Sequence, residues 1–185
     1  SKQTLNGRTL AVQITGEEIR IARAVRGGAG QLQDLTVIPT PQGAVEDGEL
    51  RDVDALRQAM EPVLKADPFR RCRRAALLVC SPQIISESVT VPAVRKRQRL
   101  GQMLRANMDM YFPVNPADYH LTWQIEGREK TDDGVESLRV RLWAVPLALL
   151  KSCYALFNAM GIGVSMVGYC GYAAAMAAGA AFGEP

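Results

Sequence analysis

The segment from Thr9 to Pro41 constrains this chain more than any other part of the sequence. Thr9-Leu10-Ala11-Val12-Gln13-Ile14 is a near-continuous apolar run, the pattern of a strand covered on both faces. Thr15-Gly16-Glu17-Glu18 interrupts it as a turn. Beyond the turn, Ile19, Ile21 and Arg23 alternate with Arg20, Ala22 and Ala24, the period of a second strand. Arg26 to Gly30 makes another turn, and Leu35-Thr36-Val37-Ile38 reads as a third strand stopped by Pro39 and Pro41. Strands linked in this way predict a meander.

A loop dense in turn residues, Gln42 to Glu49, follows. Asp52 is placed to cap a helix carrying Val53, Leu56, Met60, Val63 and Leu64 on one side, which Pro62 should end or kink. Ala75 to Cys80 is a buried strand closed by Ser81-Pro82. A second unit begins near Ser86. Ser88 to Pro92 reads as a short strand, and Leu100, Met103, Leu104, Met108 and Tyr111 form an apolar stripe on a helix from about Val94 to Phe112. Tyr119, Leu121, Trp123 and Ile125 alternate with His120, Thr122, Gln124 and Glu126. Leu138, Val140, Leu142 and Ala144 alternate with Arg139, Arg141 and Trp143. These two runs predict an antiparallel pair around a polar loop, Gly127 to Ser137. A helix with Leu147, Leu150, Tyr154 and Phe157 on one face should stop at Gly161. Val164 to Val167 is assigned as the last strand of this second unit, an α+β sandwich. An Ala-rich helix closes the chain.

Composition removes several function classes. The 185 residues are 48% hydrophobic and 22% charged, with a net charge of +3, too small to imply nucleic acid. Cys72, Cys80, Cys153 and Cys170 are scattered without a CxxC pair, and His120 is the single histidine, so ligand spacing for zinc is lacking. Cys80 and Cys153 fall in apolar runs and are expected as buried thiols. No Ser-His-Asp or Cys-His set can be assembled with one histidine. Gly27-Gly28-Ala29-Gly30 follows a strand without opening a helix, so it is a turn and not a dinucleotide loop. The first residues are polar and basic, so no secretory signal is expected. Met160 to Phe182 is too rich in Ala and Gly to span a bilayer, which needs roughly 20 strongly apolar residues. A reducing cytosolic setting is expected.

Several phrases in order resemble the type IV pilus assembly PilM family, relatives of FtsA in the actin-like superfamily. They are the opening strands from Leu10 to Val25; Pro39-Thr40-Pro41 leading to Asp47-Gly48-Glu49; Val89-Thr90-Val91-Pro92; Tyr111-Phe112-Pro113-Val114; and Leu142-Trp143-Ala144-Val145-Pro146 with Ala159-Met160-Gly161-Ile162. The resemblance runs from about Leu10 to Met176. It implies an α/β fold: an actin-like (ribonuclease-H-like) subdomain 1A from residues 1–85 and 168–185, with an inserted α+β subdomain 1C at 86–167. Family members run longer, and the chain ends where their second phosphate loop and adenosine lobe would begin. The implied role is a cytoplasmic docking component of the pilus inner-membrane platform, peripheral to the membrane through its partners. Those partners would be the N-terminal segment of a PilN-like membrane protein, received between 1A and 1C, and other platform and motor proteins, with oligomers allowed. The alternative implied by the superfamily is an FtsA-like or type II secretion ATPase.

The two readings divide at the first phosphate loop. The resembling family has Asp-Ile-Gly-Ser-Ser there, with ATP and Mg as the superfamily's cofactors. Here the matching positions are Gln13, Ile14, Thr15 and Gly16, then Glu17-Glu18 and Arg20. The carboxylate near the metal has become an amide, and two carboxylates occupy the tip. Like charges within about 4–6 Å of an incoming phosphate disfavour it. The candidate nucleotide positions Gln13, Thr15, Gly16 and Arg20 are thus a degenerate site or a plain hairpin. No catalytic residue, bound cofactor or metal is expected, and no ATPase activity for this chain.

Arg95, Lys96, Arg97 and Arg99 open the helix of the second unit, where cations oppose the helix dipole. The resembling family is more acidic there. The run is a candidate partner-binding patch for acidic protein or anionic lipid, or a solvated face. Arg70-Arg71 and Arg73-Arg74 form a second basic stretch with the same two readings.

Overall fold

The computed structural model describes residues 8–24, 32–130 and 134–169. Along the chain run β1 (Thr9–Ile14), β2 (Glu18–Ala24), β3 (Leu32–Pro39), β4 (Val45–Glu46), β5 (Glu49–Leu50), α1 (Val53–Lys65) and β6 (Arg74–Val79). There follow β7 (Ile85–Pro92), α2 (Arg97–Ala106), α3 (Met108–Tyr111), β8 (Tyr119–Lys130), β9 (Glu136–Pro146), α4 (Leu147–Ala159) and β10 (Gly163–Tyr169). The expected turn at Arg26 to Gly30 and the closing Ala-rich helix lie outside the described residues.

The chain divides into two compact units, Ser1–Ser81 with Lys151–Pro185, and Pro82–Leu150. The first holds a five-stranded sheet in the order β10-β6-β1-β2-β3. The expected meander is its antiparallel half, with β1 against β2 and β2 against β3. β6 pairs parallel to β1, and β10 parallel to β6. Leu10, Val12, Ile14, Ile19, Ile21, Leu77 and Val79 are buried, the alternate positions that line one face.

Turn chemistry fixes the connections. Asp47 and Gly48 both have positive φ, at 50° and 83°, the geometry of a two-residue hairpin joining β4 to β5. A Cβ on Gly48 would meet the Cys80 carbonyl oxygen at 2.4 Å, so only glycine fits. Asp52 caps α1 as expected, accepting from the Ala55 amide at 2.9 Å. Gly161, at φ 68°, ends α4. There the Ile162 amide reaches Phe157 O at 2.9 Å and the Gly161 amide reaches Asn158 O at 3.0 Å, a Schellman closure.

The second unit is a three-stranded antiparallel sheet, β7-β9-β8. Leu138, Val140, Leu142 and Ala144 of β9 join Val91, Leu121, Leu100, Leu104, Met108 and Phe112 in one buried core, so α2 and α3 cover a single face. The opposite face carries a polar stretch, with Arg141 bonding Glu126 at 3.0 Å and Ser88 bonding the same carboxylate at 3.1 Å, beside the buried Trp143 and Val145.

Several expectations need correction. The inserted unit was expected over 86–167, whereas the structure places it at Pro82–Leu150. The strand at Val164 to Val167 belongs to the first sheet, because it pairs with β6 and not with the strands of the second unit. Of the two outcomes expected of Pro62, that it ends α1 is not met, since the helix runs on to Lys65. Met60 and Leu64 on either side of it are buried, and that packing works against the roughly 3 kcal/mol that an interior proline costs. The buried face of α4 is Leu149, Cys153, Leu156 and Phe157, while Tyr154 is 42% exposed. The polar loop is shorter than expected, because β8 and β9 stay paired out to Lys130 and Glu136 across a bulge near Gly127.

Candidate functional site

The structure brings Gln13, Thr15, Gly16 and Arg20 onto one hairpin, with Gln13 and Arg20 directly opposite in register. The tip closes on itself. The Thr15 hydroxyl accepts from the Glu17 amide at 3.3 Å and the Glu18 amide at 3.1 Å, and donates to Glu18 O at 3.0 Å. The Thr15 amide also donates to Glu18 O, at 3.0 Å. Thr40 clamps the tip from the following segment, its hydroxyl on Thr15 O at 2.8 Å and its amide on Glu17 O at 3.0 Å.

A phosphate needs free amides and uncompensated positive charge. At this tip the amides of Glu17 and Glu18 are already taken by the Thr15 side chain. Arg20 is ion-paired to Glu18. Gln13 is half-buried and donates from Nε2 to Cys80 Sγ at 3.7 Å, so its amide is turned to the end of β6. A Cβ on Gly16 would find only Val45 O, at 3.8 Å, so no close backbone approach demands glycine there. The crevice in this unit, lined by Val12, Ile14, Leu50, Leu77 and Phe157 among others, has a volume of about 10 Å³. That is room for about one water.

The thiols separate. Cys153 is buried, and desolvation pushes its pKa up to about 11, against a smaller opposing hydrogen bond from Ser152. Cys72 is buried too, its pKa raised by desolvation against the pull of Arg23 and Arg73. Cys80, expected as a buried thiol, is instead half-buried and disulfide-bonded, since it lies just past the end of β6 where the sheet no longer covers it. Among the described residues no three His, Cys, Asp or Glu side chains stand together as a metal site, and no helix is long and apolar enough to cross a membrane.

The basic run sits on the second unit. α2 begins at Arg97, later than expected, with Lys96 at the capping position and no side chain accepting from the first turn. No acidic residue lies in that turn. Arg95, Lys96, Arg97 and Arg99 are exposed, and among the described residues no ion pair includes any of them.

Sequence reasoning missed three neighbours of this run. The Trp123 ring lies against Gly101, where a Cβ would meet its carbons at 2.5 and 2.7 Å. The Arg97 and Arg105 guanidiniums lie over the same ring, 5.8 and 5.2 Å from its centroid. The signal was present in the four-residue spacing of Arg97, Gly101 and Arg105 on one helix face. The Trp123 indole Nε1 is buried without a hydrogen-bond partner among the described residues. His120, at the start of β8, has its pKa pushed down, first by desolvation and then by Arg105.

The solved PilM-PilN type IV pilus biogenesis complex contains a chain similar to this one, with a TM-score of 0.70 and 18% identity. The match covers 86% of this chain and 46% of that one, so the chain spans about half of that relative's length. Their common architecture is the actin-like fold that the resemblance of the sequence phrases implied. No curated protein matches the chain. The model of the family described as type IV pilus assembly protein PilM matches residues 11–182, nearly end to end, and the chain belongs to that family.

Proposed function

We propose that this chain is a docking component of the type IV pilus inner-membrane platform, which receives the N-terminal segment of a PilN-like membrane protein and does not hydrolyse ATP. The observation that carries the reading is the family match over residues 11–182. The similarity to the chain of the PilM-PilN complex supports the choice of partner. The self-closed tip at Thr15 to Glu18 supports the absence of nucleotide chemistry, because its amides and its arginine are already engaged. On this reading the chain works in the cytoplasm, held near the inner membrane by its partners, and further platform and motor proteins or a second copy dock on other surfaces.

The test is calorimetry on the full chain with two ligands. A peptide copying the N-terminal segment of the PilN-like protein encoded in the same gene cluster should bind, and ATP with Mg should give no heat above dilution. Absence of peptide binding would remove the docking role. Tight Mg-dependent ATP binding would instead favour the actin-like ATPase and overturn the reading of Gln13, Thr15, Gly16 and Arg20.

A further inference from the structure

We propose that the exposed start of α2, with Arg97 and Arg105 laid over Trp123, is a docking site for an acidic peptide segment of a partner protein. It stands on charge and geometry within the second unit alone, so its failure leaves the pilus reading untouched.

Arg95, Lys96, Arg97, Arg99 and Arg105 are exposed cations without an ion-pair partner among the described residues. On the sheet of the same unit Arg139 meets Glu129 at 3.0 Å and Arg141 meets Glu126 at 3.0 Å, whereas Arg128, like the α2 cations, has no ion-pair partner among the described residues. The α2 cations differ from the paired sheet arginines and are set apart by their clustering, five of them falling between Arg95 and Arg105. They surround a helix start that has no side-chain cap and no acidic residue in its first turn. Free first-turn amides and four flanking cations favour the same ligand, an anion.

Two of these cations are held in place. Arg97 and Arg105 are eight residues apart, about 12 Å along a helix, and the ring between them lies against the bare backbone of Gly101. A guanidinium resting on an indole loses part of its rotamer freedom before any ligand arrives, and its planar fork remains available to take a carboxylate bidentately. Paired forks at fixed spacing suit side-chain carboxylates repeated along a peptide.

An anionic bilayer fits less well. Stable attachment to a membrane combines charge with inserted apolar surface, and the large aliphatic residues of α2, Leu100 and Leu104, are buried in the core of the unit.

The probe is a fluorescein-labelled poly-L-glutamate of about 20 residues, titrated into the full chain at low salt, with the Trp123 indole N–H followed by NMR and assigned by W123F. Vesicles of phosphatidylglycerol and phosphatidylcholine are titrated in parallel. We expect saturable peptide binding that moves the Trp123 signal. R97E/R105E should weaken it at least tenfold, and R97K/R105K should weaken it several-fold although charge is kept. R70E/R71E, which changes net charge equally in the other unit, should leave it unchanged. No peptide binding, equal loss from R70E/R71E, full retention by R97K/R105K, or binding to vesicles without binding to peptide would each overturn the proposal.

Discussion

The starts of two helices of this protein, α1 and α2, are built on opposite principles. At α1, Asp52 accepts the Ala55 amide at 2.9 Å and Asp54 adds a negative charge in the first turn. Arg57 and Lys65 are then taken up by Asp54 and Glu61, so the helix surface neutralises itself. At α2, Lys96 stands where the cap should be, and Arg97 and Arg99 fill the first turn. Cations at that end oppose the helix dipole by about 0.3–1 kcal/mol each. A helix of ten residues with such a start is not held by its own ends. It is held by Leu100 and Leu104, both essentially fully buried, and by the Trp123 contact. Local chemistry stabilises the first helix. Tertiary packing stabilises the second, and leaves its charges available.

The comparison is broken most forcefully at Gly101. Gly101→Val places carbon where the Trp123 ring lies, so we expect a loss of about 3 kcal/mol in urea unfolding, together with loss of the ring-current shifts of Arg97 and Arg105 protons. Unchanged stability would mean that the ring is not packed there. The caps come next, with opposite signs. Asp52→Ala should cost about 1 kcal/mol, whereas Lys96→Asp should gain about 0.5–1 kcal/mol, read as a lower and a higher thermal midpoint. Two shifts of the same sign would refute the contrast.

The smallest effect concerns pH. Glu126 has its carboxyl held below the ordinary value, first by the hydrogen bond from Arg141, with help from Ser88 and Arg139. The folded state thus keeps the carboxylate to lower pH than the unfolded chain does. The stabilisation is present above the unfolded value and fades as pH falls through the folded one. Glu126→Gln should lower the thermal midpoint near neutrality, and the difference from the parent should shrink with acidification. A constant difference would show that the ion pairs of Glu126 with Arg139 and Arg141 are immaterial.

Parts of the molecule governed by a few neighbouring residues were legible in advance. The meander, the Asp52 cap and the Gly161 stop each depend on sterics or hydrogen bonding within one turn of chain. The stripe of Leu100, Leu104 and Met108 was legible because a helix repeats its buried face. The face of α4 was not, since Leu147-Ala148-Leu149-Leu150 offers several apolar stripes and only packing chooses among them. The far end of the β8–β9 ribbon was hidden for another reason. Its residues from Arg128 to Lys130 are exposed, so no alternation of hydrophobicity marks the strand.

The candidate nucleotide positions show the same division. Sequence supplied the missing carboxylate at Gln13 and the pair Glu17-Glu18, and these alone argued against phosphate. That Thr15 closes the loop amides, and that Thr40 reaches back from the next segment to clamp the turn, depends on distances between atoms that no spacing encodes.

Sequence by itself determined the existence and order of most strands and helices, several of their buried faces, and the order of phrases that marks the family, because these follow from side-chain periodicity and turn sterics along the chain. Only the tertiary structure decided that β10 joins the first sheet, that a proline is carried inside α1, and that Trp123 sits between Arg97 and Arg105. Each of those depends on which distant residues share a surface, and a one-dimensional pattern records the preference of a segment to be covered without recording what covers it.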